Sequence, residues 1–516
     1  MSSGIVSSLV ALLARAGDPH HRRSLVAAAL AALFAAALAY YRHDAIGSGV
    51  RLPKSIKRAK GFLPIIGGLI PSIRNYNRAL DYFLEAAASE NFKTQCLPVP
   101  FAPPFIFFLD PAGVEFILKT EFDSFVKGNL FVSRMKQILG HGIFVSDGET
   151  WRVQRKTASH IFSTKKFREF FETVFASEMQ ELIARLRKSA DGTTVVDMQD
   201  NFFRFTLDGF GQIGFGVELN TMQKDNVPFA AAFDRAQGVM DYRFFSPLWW
   251  LEELIVFPRW LQMRRDASTI RSFAADIVRE RKAESAAVRD SRSDLLTLFM
   301  NVRDDNGVPL DDERLCDDVL NFIIAGRDTT AQALSWCIYY LNKEPRTMAK
   351  LVAEIDETLG EKLAPTYDQA KSMKYANAVF HEALRLSPSV PKDIKLAARD
   401  TVFPDGTMVP KGAAVVWSAY VMARNPNIWG SNAAEFVPER WLDGRLPSQF
   451  EYPVFNAGPR VCLGKALAEL EGVYVLVSLL RQFEVRVVDL ASVHYANSLT
   501  MPMRGGLKCT VRERRL

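Results

Sequence analysis

The sequence predicts a mainly α-helical protein with small β-sheets, an α+β fold arranged as one large domain. Helical periodicity dominates residues 148–390, and from about residue 62 long helical patterns alternate with short strands. A hairpin is predicted where Pro404-Asp405-Gly406 separates 401–403 from 407–409, because these residue types favour a tight turn. With 516 residues and 48% hydrophobic content, the chain can bury a sizeable core.

An uncharged run at 24–41 predicts a membrane anchor after a leading segment at 1–23. As a helix, its 18 residues would be about 27 Å long, close to the hydrocarbon thickness of a bilayer. A basic linker follows at 42–61, and its excess of Lys and Arg places the main domain, residues 62–516, on the cytosolic side. The alternative is a cleaved targeting peptide, because the N-terminal region is rich in Arg and Ala and poor in acidic residues.

Charge and cysteine content exclude two classes of protein. The formal net charge of +6 is small for this length, so a dedicated nucleic-acid-binding protein is not expected. The five cysteines are odd in number, far apart and without CxxC spacing, which indicates a reduced compartment and not a disulfide framework. One of them, Cys462, stands in a context that predicts a chemical role.

The loop at 455–464 is the most informative part of the sequence. It places Cys462 directly before a predicted helix, where unpaired N–H groups lower the pKa of a thiol and favour the thiolate. Gly458 and Gly464 would let the backbone approach a flat cofactor, and the Arg460 guanidinium suits a carboxylate. These features favour a thiolate ligand to haem iron, with Arg460 on a haem propionate. The alternative is a buried structural cysteine.

A second site is predicted inside a long helical segment at 311–343. It contains the run Ala325-Gly326-Arg327-Asp328-Thr329-Thr330, whose small residues would let a ligand approach the helix backbone. The Thr329 hydroxyl can bond back to the preceding turn and open the helix locally. Asp328 can then pass protons from solvent, as the splitting of O2 requires. The alternative is a polar mid-helix pair in which Asp328 binds Arg327 or another cation.

These motifs resemble those of the cytochrome P-450 superfamily, the haem-thiolate monooxygenases. The loop matches the family pattern Phe-x-x-Gly-x-Arg-x-Cys-x-Gly, and the helical run matches Ala-Gly-x-Asp-Thr-Thr. The resemblance assigns haem binding to Phe455, Gly458, Arg460, Cys462, Gly464, Trp151, Arg155, Ala325 and Gly326, with Cys462 as the metal ligand. It assigns catalysis to Asp328 and Thr329. It assigns a buried network that holds the cysteine loop to Glu382, Arg385 and Arg440.

The resemblance covers essentially residues 62–510 and implies a single haem-binding domain with the cytochrome P-450 fold. The implied cofactor is haem b without a covalent bond, since Ala325 stands where a Glu esterifies haem in some fatty-acid hydroxylases. No dinucleotide-binding motif is found in the sequence, so electrons are expected from NADPH through a separate diflavin reductase. Membrane-bound members share the anchor and basic linker, which implies the endoplasmic reticulum membrane with the catalytic domain in the cytosol.

Finer motifs, among them Phe125-Val126-Lys127-Gly128 and Ser498-Leu499-Thr500-Met501, resemble the plant, fungal and protist branch that hydroxylates fatty acids and alkanes. That branch implies insertion of one oxygen atom from O2 at the ω-carbon of a medium- or long-chain fatty acid. By position, the apolar substrate pocket would include Phe131, Val390, Leu499 and Met501. Arg134 or Arg243 could hold the carboxylate.

Other functions stay open at this point. The same chemistry could act on sterols, terpenoids or xenobiotics. A haem-thiolate isomerase or dehydratase would work without oxygen or a reductase, and a non-enzymatic haem protein would need no proton relay. The pairing of Asp328 with Thr329 argues against the last two.

The aromatic, proline-bounded stretch at 246–261 also leaves two interpretations. Its residues Trp249, Trp250 and Trp260 suit a surface that dips into lipid headgroups. They equally suit a helix pair packed on the core.

Overall fold

Among the residues that the structure describes, helices predominate and three small sheets complete the fold, which confirms the predicted mainly α-helical class. The computed structural model describes residues 19–162, 168–292, 294–303 and 307–515, so most of the predicted leading segment lies outside the described residues. One main cluster of buried apolar side chains extends from Leu52 to Val511 and joins the helices to the sheets.

The helices of the N-terminal half are α1 (Pro19–Tyr40), α2 (Leu69–Arg74), α3 (Ala79–Ala88), α4 (Pro111–Glu115), α5 (Gly128–Leu139), α6 (Gly148–Ser159), α7 (Ala176–Arg187), α8 (Met198–Phe215), α9 (Pro228–Phe245) and α10 (Trp249–Ile255). The helices that follow are α11 (Phe257–Ala283), α12 (Ala286–Ser291), α13 (Leu295–Met300), α14 (Asp312–Ile323), α15 (Thr329–Lys343), α16 (Pro345–Leu359), α17 (Tyr367–Ser372), α18 (Lys374–Leu386), α19 (Ala419–Met422), α20 (Pro426–Trp429) and α21 (Lys465–Gln482).

Most strands are short. They are β1 (Lys57–Arg58), β2 (Gln95–Leu97), β3 (Phe105–Phe107), β4 (Phe125–Val126), β5 (Asp191–Asp197), β6 (Asp393–Ala397), β7 (Thr401–Val402), β8 (Met408–Val409), β9 (Ala414–Trp417), β10 (Phe483–Val487) and β11 (Lys508–Glu513). The largest sheet is mixed, in the order β1-β2-β3-β9-β6-β4, and a three-stranded sheet has the order β10-β11-β5.

The predicted hairpin is confirmed. Strands β7 and β8 pair antiparallel, with Thr401 opposite Val409. In the turn, Gly406 has a φ of 81°, and the Asp405 carboxylate accepts the Thr407 N–H at 2.8 Å. This is the turn chemistry that Asp and Gly were expected to supply.

Helix α1 covers most of the segment predicted as a membrane anchor. Its exposed side chains include Leu30, Leu33 and Phe34. Within the described part of the chain, no helix combines the length and the apolar character needed to cross a membrane. The transmembrane span predicted at 24–41 is not confirmed.

Helices α14 and α15 cover the predicted helical segment at 311–343. The Asp311 carboxylate caps α14 by accepting a backbone N–H at 2.8 Å. Between the two helices, Ile324–Asp328 forms a wide π-helical turn, and Thr329 Oγ1 donates to Ala325 O at 2.8 Å. The local opening predicted at Thr329 is present as this turn, a feature frequent at functional sites.

The aromatic stretch at 246–261 forms α10 and the start of α11. Trp249 is half-buried under the Arg243 guanidinium, which lies 4.5 Å from its ring centroid. Several neighbours are exposed instead: Trp250 by 56%, Leu254 by 63%, Ile255 by 72% and Phe257 by 56%. The helix pair therefore packs on the molecule through one side only and leaves an apolar surface on the other.

Candidate active site

A cavity of about 430 Å³ brings the two predicted sites together. Cys462 and Gly464 lie on its wall, as do Ala325, Gly326 and Thr329 from the π-turn. Phenylalanines supply much of the remaining wall, among them Phe107, Phe131, Phe210, Phe244, Phe245 and Phe380. The arrangement places a thiol and a helix hydroxyl in one largely apolar space.

The cysteine loop is closed by its own backbone. The Cys462 N–H donates to Phe455 O at 2.8 Å, and a short 3-10 turn, Gly458–Arg460, lies between them. Asn456 adopts a left-handed φ of 58°, which bends the chain into the turn. The sulfur is thus presented at the entry to α21, as predicted.

Burial raises the pKa of the Cys462 thiol, the opposite of the shift that its helix N-terminus predicts. The Gly464 N–H and the charge of Arg155 act to lower this pKa, but burial outweighs them. The Cys462 side chain is exposed and lines the cavity. A bound metal ion reverses this balance, because coordination deprotonates a thiol.

Gly458 does not line the cavity, which corrects its predicted role beside a cofactor. Its φ is +60°, and a Cβ there would stand 2.1 Å from the Leu118 carbonyl oxygen. The loop therefore needs this glycine to pack against its neighbour. Gly464 does lie on the cavity wall, where a Cβ would meet only Phe162 at 3.6 Å.

Trp151, Arg155 and Arg460 all line the cavity. The Arg460 guanidinium lies over the Trp151 ring at 4.5 Å and donates to Asp147 Oδ1 at 2.9 Å. Its Nε is buried and has no hydrogen-bond partner among the described residues, and Arg155 forms no ion pair there. Unused cationic donors therefore stand beside the cavity.

Lys395 is a third cation at this end, which the sequence analysis missed. Its ammonium is 1% exposed, lies 4.4 Å from the Phe122 ring centroid and has no hydrogen-bond partner among the described residues. Burial, and then the charges of Arg460 and Lys127, lowers the pKa of Lys395 to about 7. The alternation of inward and outward side chains along β6 could have revealed Lys395, since a lysine at an inward strand position needs an anionic partner.

The π-turn brings helix backbone to the cavity wall. Gly326 is required there, because a Cβ would stand 2.1 Å from the Phe210 ring. The Thr329 carbonyl oxygen accepts a hydrogen bond from Ser389 Oγ at 2.7 Å. Thr329 therefore faces the cavity with its hydroxyl tied to the preceding turn.

Asp328 does not line the cavity. It is 1% exposed, and its carboxylate accepts from Arg327 Nη1 at 2.8 Å and from Gln237 Nε2 at 2.6 Å. Burial raises the pKa of Asp328 to about 6. The pairing with Arg327 that the sequence left as an alternative is the one observed, and delivery of protons by Asp328 stays a prediction.

Glu471 on α21 is a second residue that sequence reasoning missed. It lines the cavity and is 7% exposed. Burial raises the pKa of Glu471 to about 8, against a hydrogen bond from Thr330 that lowers it. Burial of Glu471 therefore favours the neutral form of its carboxyl group.

Glu382, Arg385 and Arg440 form the expected network. Both Glu382 and Arg385 are fully buried. The donors to the Glu382 carboxylate are Arg385 Nε and Nη2 (both 2.8 Å), Arg440 Nε (2.9 Å), Trp441 Nε1 (2.9 Å) and Val437 N (2.8 Å). The network ties α18 to the segment that precedes the cysteine loop.

The structure corrects part of the predicted substrate pocket. Phe131, Val390 and Leu499 line the cavity, whereas Met501 does not. Met501 is 1% exposed, and its backbone is held by Ser389 O and Gln332 Oε1, which turns the side chain into the core.

Neither arginine proposed for a substrate carboxylate reaches the cavity. Arg134 donates to the Arg243 carbonyl oxygen at 2.9 Å. Arg243 is 2% exposed and is paired with Glu253 at 2.7 Å. Both guanidinium groups are therefore engaged in holding α5, α9 and α10 together.

A cysteine on a cavity wall, opposite an opened helix and beside cations with unused donors, defines a haem-thiolate site on a mainly helical fold. Comparisons of the chain with a family model, with related sequences and with solved structures agree with that class. The family model described as "Cytochrome P450" matches residues 102–505. Cytochrome P450 704B1 of Arabidopsis thaliana is 35% identical over 496 residues, covering 87% of this chain and 94% of that protein.

Cytochrome P450 monooxygenase cyp1 of Mycosarcoma maydis is 35% identical over 503 residues, covering 92% of this chain and 78% of that protein. The crystal structure of the cytochrome P450DA heme domain is similar in fold, with a TM-score of 0.77 at 23% identity over 90% of this chain and 99% of that one. The chain belongs to the cytochrome P450 family and is a monooxygenase of that family. The predicted resemblance to plant and fungal members is confirmed.

The residues present fit the haem that the family implies. Cys462 supplies a thiolate ligand, and the unpartnered Arg460 Nε and Lys395 Nζ, with Arg155, match the charge of two propionates. Bound haem supplies the iron at which O2 is activated, with the thiolate favouring O–O cleavage. Ala325 offers no carboxylate to esterify the haem, so attachment by that route is excluded.

We predict that Cys462→Ser abolishes the red-shifted Soret band of the reduced carbon monoxide complex, because a hydroxyl cannot replace the thiolate ligand. The absorbance spectrum of purified protein measures this. Cys316→Ser, at a buried cysteine away from the cavity, is the control and should keep the band. A Cys462→Ser protein that retains the band would contradict the assignment.

Lys395→Met should speed the loss of haem about tenfold, since it removes one charge-assisted hydrogen bond worth about 1.5–3 kcal/mol. Transfer of haem to an excess of an apo-globin measures the rate. Lys374→Met, at an exposed lysine of α18, is the matched control. Equal rates in the two variants would remove Lys395 from haem binding.

Proposed function

We propose that this protein hydroxylates the ω-carbon of a medium- or long-chain fatty acid. The observation that carries the proposal is the cavity, which puts Cys462 and Thr329 at the wall of a space lined mainly by phenylalanine and aliphatic side chains. Such a wall binds a hydrocarbon chain by excluding water and offers a polar headgroup few partners. A C–H bond beside the thiolate-ligated haem is then the group exposed to oxidation.

The resemblance of the finer motifs supports the choice of substrate. Phe125 to Gly128 and Ser498 to Met501 resemble the branch that hydroxylates fatty acids and alkanes. Phe131 and Leu499, which follow or belong to these motifs, lie on the cavity wall. The motifs therefore supply part of the surface that would contact the chain.

The reaction takes one oxygen atom into the terminal methyl group and reduces the other to water. It requires two electrons and two protons for each O2. We propose that the electrons come from NADPH through a diflavin reductase, because no dinucleotide-binding motif is found in the sequence. Exposed cations on the cysteine side, such as Lys156 and Lys465, would steer an acidic partner.

With a diflavin reductase and NADPH, we expect ω-hydroxy acids from a panel of C12 to C18 fatty acids. Mass spectrometry of the products identifies the hydroxylated carbon. Sterol, terpenoid and xenobiotic panels run in parallel should give little product. Turnover of none of the acids, with turnover of another panel, would overturn the proposal.

We also propose that the protein works at the cytosolic face of the endoplasmic reticulum membrane. The apolar surface of α10 and the start of α11, with Trp250, Leu254, Ile255 and Phe257 exposed, supports contact with lipid. Phe245, at the end of the helix before it, lines the cavity. An apolar substrate could thus pass between the bilayer and the cavity.

Leu254→Ser with Ile255→Ser should weaken binding to phospholipid vesicles about tenfold or more, because each side chain loses the free energy of burial in lipid. Flotation of protein with vesicles measures this. Leu446→Ser, at a loop residue that is 71% exposed, is the matched control. Unchanged flotation of the double variant would show that this surface does not contact the membrane.

A further inference from the structure

Two charged residues lie on the cavity wall with no part in binding the predicted haem. Asp241 comes from α9, and Lys392 from the segment between α18 and β6. Lys392 Nζ donates to Asp241 Oδ1 at 3.0 Å. The pair interrupts an otherwise apolar part of the wall, where Phe244 and Phe245 are neighbours.

The hydrogen-bonding capacity of Lys392 and Asp241 is only partly used by their contact with each other. Asp241 is 1% exposed, yet its Oδ2 is buried without a hydrogen-bond partner among the described residues. The Lys392 side chain keeps 23% of its surface accessible, and its ammonium lies 4.7 Å from the Phe245 ring centroid. One acceptor and at least one ammonium proton are therefore free beside the cavity.

A buried oxygen without a donor costs free energy, and a ligand that donates to it recovers that loss. A carboxylic acid has the matching pair of groups, an O–H that donates and a carbonyl oxygen that accepts. Burial raises the pKa of Asp241, so the pair also accepts the substrate as a carboxylate when the proton resides on Asp241.

We propose that Lys392 and Asp241 bind the carboxyl group of the substrate. The O–H of the acid donates to Asp241 Oδ2 and its carbonyl oxygen accepts from Lys392 Nζ. This inference rests on the proposed function and names the residues that select a fatty acid over an uncharged chain of equal length.

The other cations of the cavity wall fit the haem or are paired with acids. Arg155 and Arg460 fit the haem propionates, and Arg460 is also bound to Asp147. Lys127 is 6% exposed and paired with Asp393 at 2.7 Å. Among the described residues of this wall, Lys392 is the cation that keeps solvent access and pairs with a carboxylate whose second oxygen has no hydrogen-bond partner.

The experiment compares a fatty acid with its methyl ester, which keeps the chain but lacks the O–H. Lys392→Met and Lys392→Gln should raise KM for the acid roughly tenfold, the size expected of one charge-assisted hydrogen bond, with little change in kcat or in KM for the ester. Lys392→Arg should retain most of the preference. Lys411→Met, at an exposed lysine outside the cavity, should behave as wild type.

The Soret band of the reduced carbon monoxide complex verifies folding of each variant. An equal rise in KM for acid and ester, or no rise at all, would overturn the assignment of Lys392 while leaving ω-hydroxylation intact. Failure of the wild-type protein to oxidise any fatty acid would instead overturn the proposed function and this inference with it.

Discussion

The buried carboxylate of Glu382 is the constraint on which the geometry of the site depends. A desolvated carboxylate is stable only when its lone pairs are filled, and here five N–H donors fill them. Three of these donors come from the segment after α20 and tie that segment to α18. The Trp441 ring in turn packs against the Tyr452 ring, with the two centroids 4.9 Å apart. Tyr452 stands directly before the cysteine loop and donates to His381 O at 3.2 Å. The network therefore anchors the segment that leads into the loop of Cys462.

At the opposite side of the loop, charge balance explains why cations are left without partners. Arg460, Lys395, Lys127 and Arg155 meet near the cavity, with Asp147 and Asp393 as the acidic groups that pair with Arg460 and Lys127. The mutual repulsion of the cations and their burial lower the pKa of Lys395. Two haem propionates would supply the missing negative charge, so haem binding and the local protein fold would stabilise each other through the same ion pairs.

Sequence reasoning succeeded where a function needs a fixed local pattern. The cysteine loop, the opened helix at Thr329 and the hairpin at 401–409 follow from spacing and turn chemistry within a few residues. It failed where tertiary packing decides which way a side chain points. Asp328 and Met501 are one or two positions from residues that line the cavity, yet both face the interior of the protein. Lys392 and Lys395 carry no motif, and their importance follows only from burial and missing partners.

Asp328 is buried on the side of the helix away from the cavity, which bears on how protons can reach the cavity. A π-turn adds one residue to the helix, so the side chain before Thr329 points towards α9 while Thr329 itself faces the cavity. From Asp328, hydrogen bonds extend both towards the protein surface and towards the cavity wall. Arg327 links Asp328 to Asp234, whose side chain is 50% exposed, and Gln237 links it towards Thr500 on the cavity wall. Because Arg327 keeps its charge, it pairs with both carboxylates and passes no proton between Asp234 and Asp328. Delivery of protons to the cavity by Asp328 therefore stays a prediction.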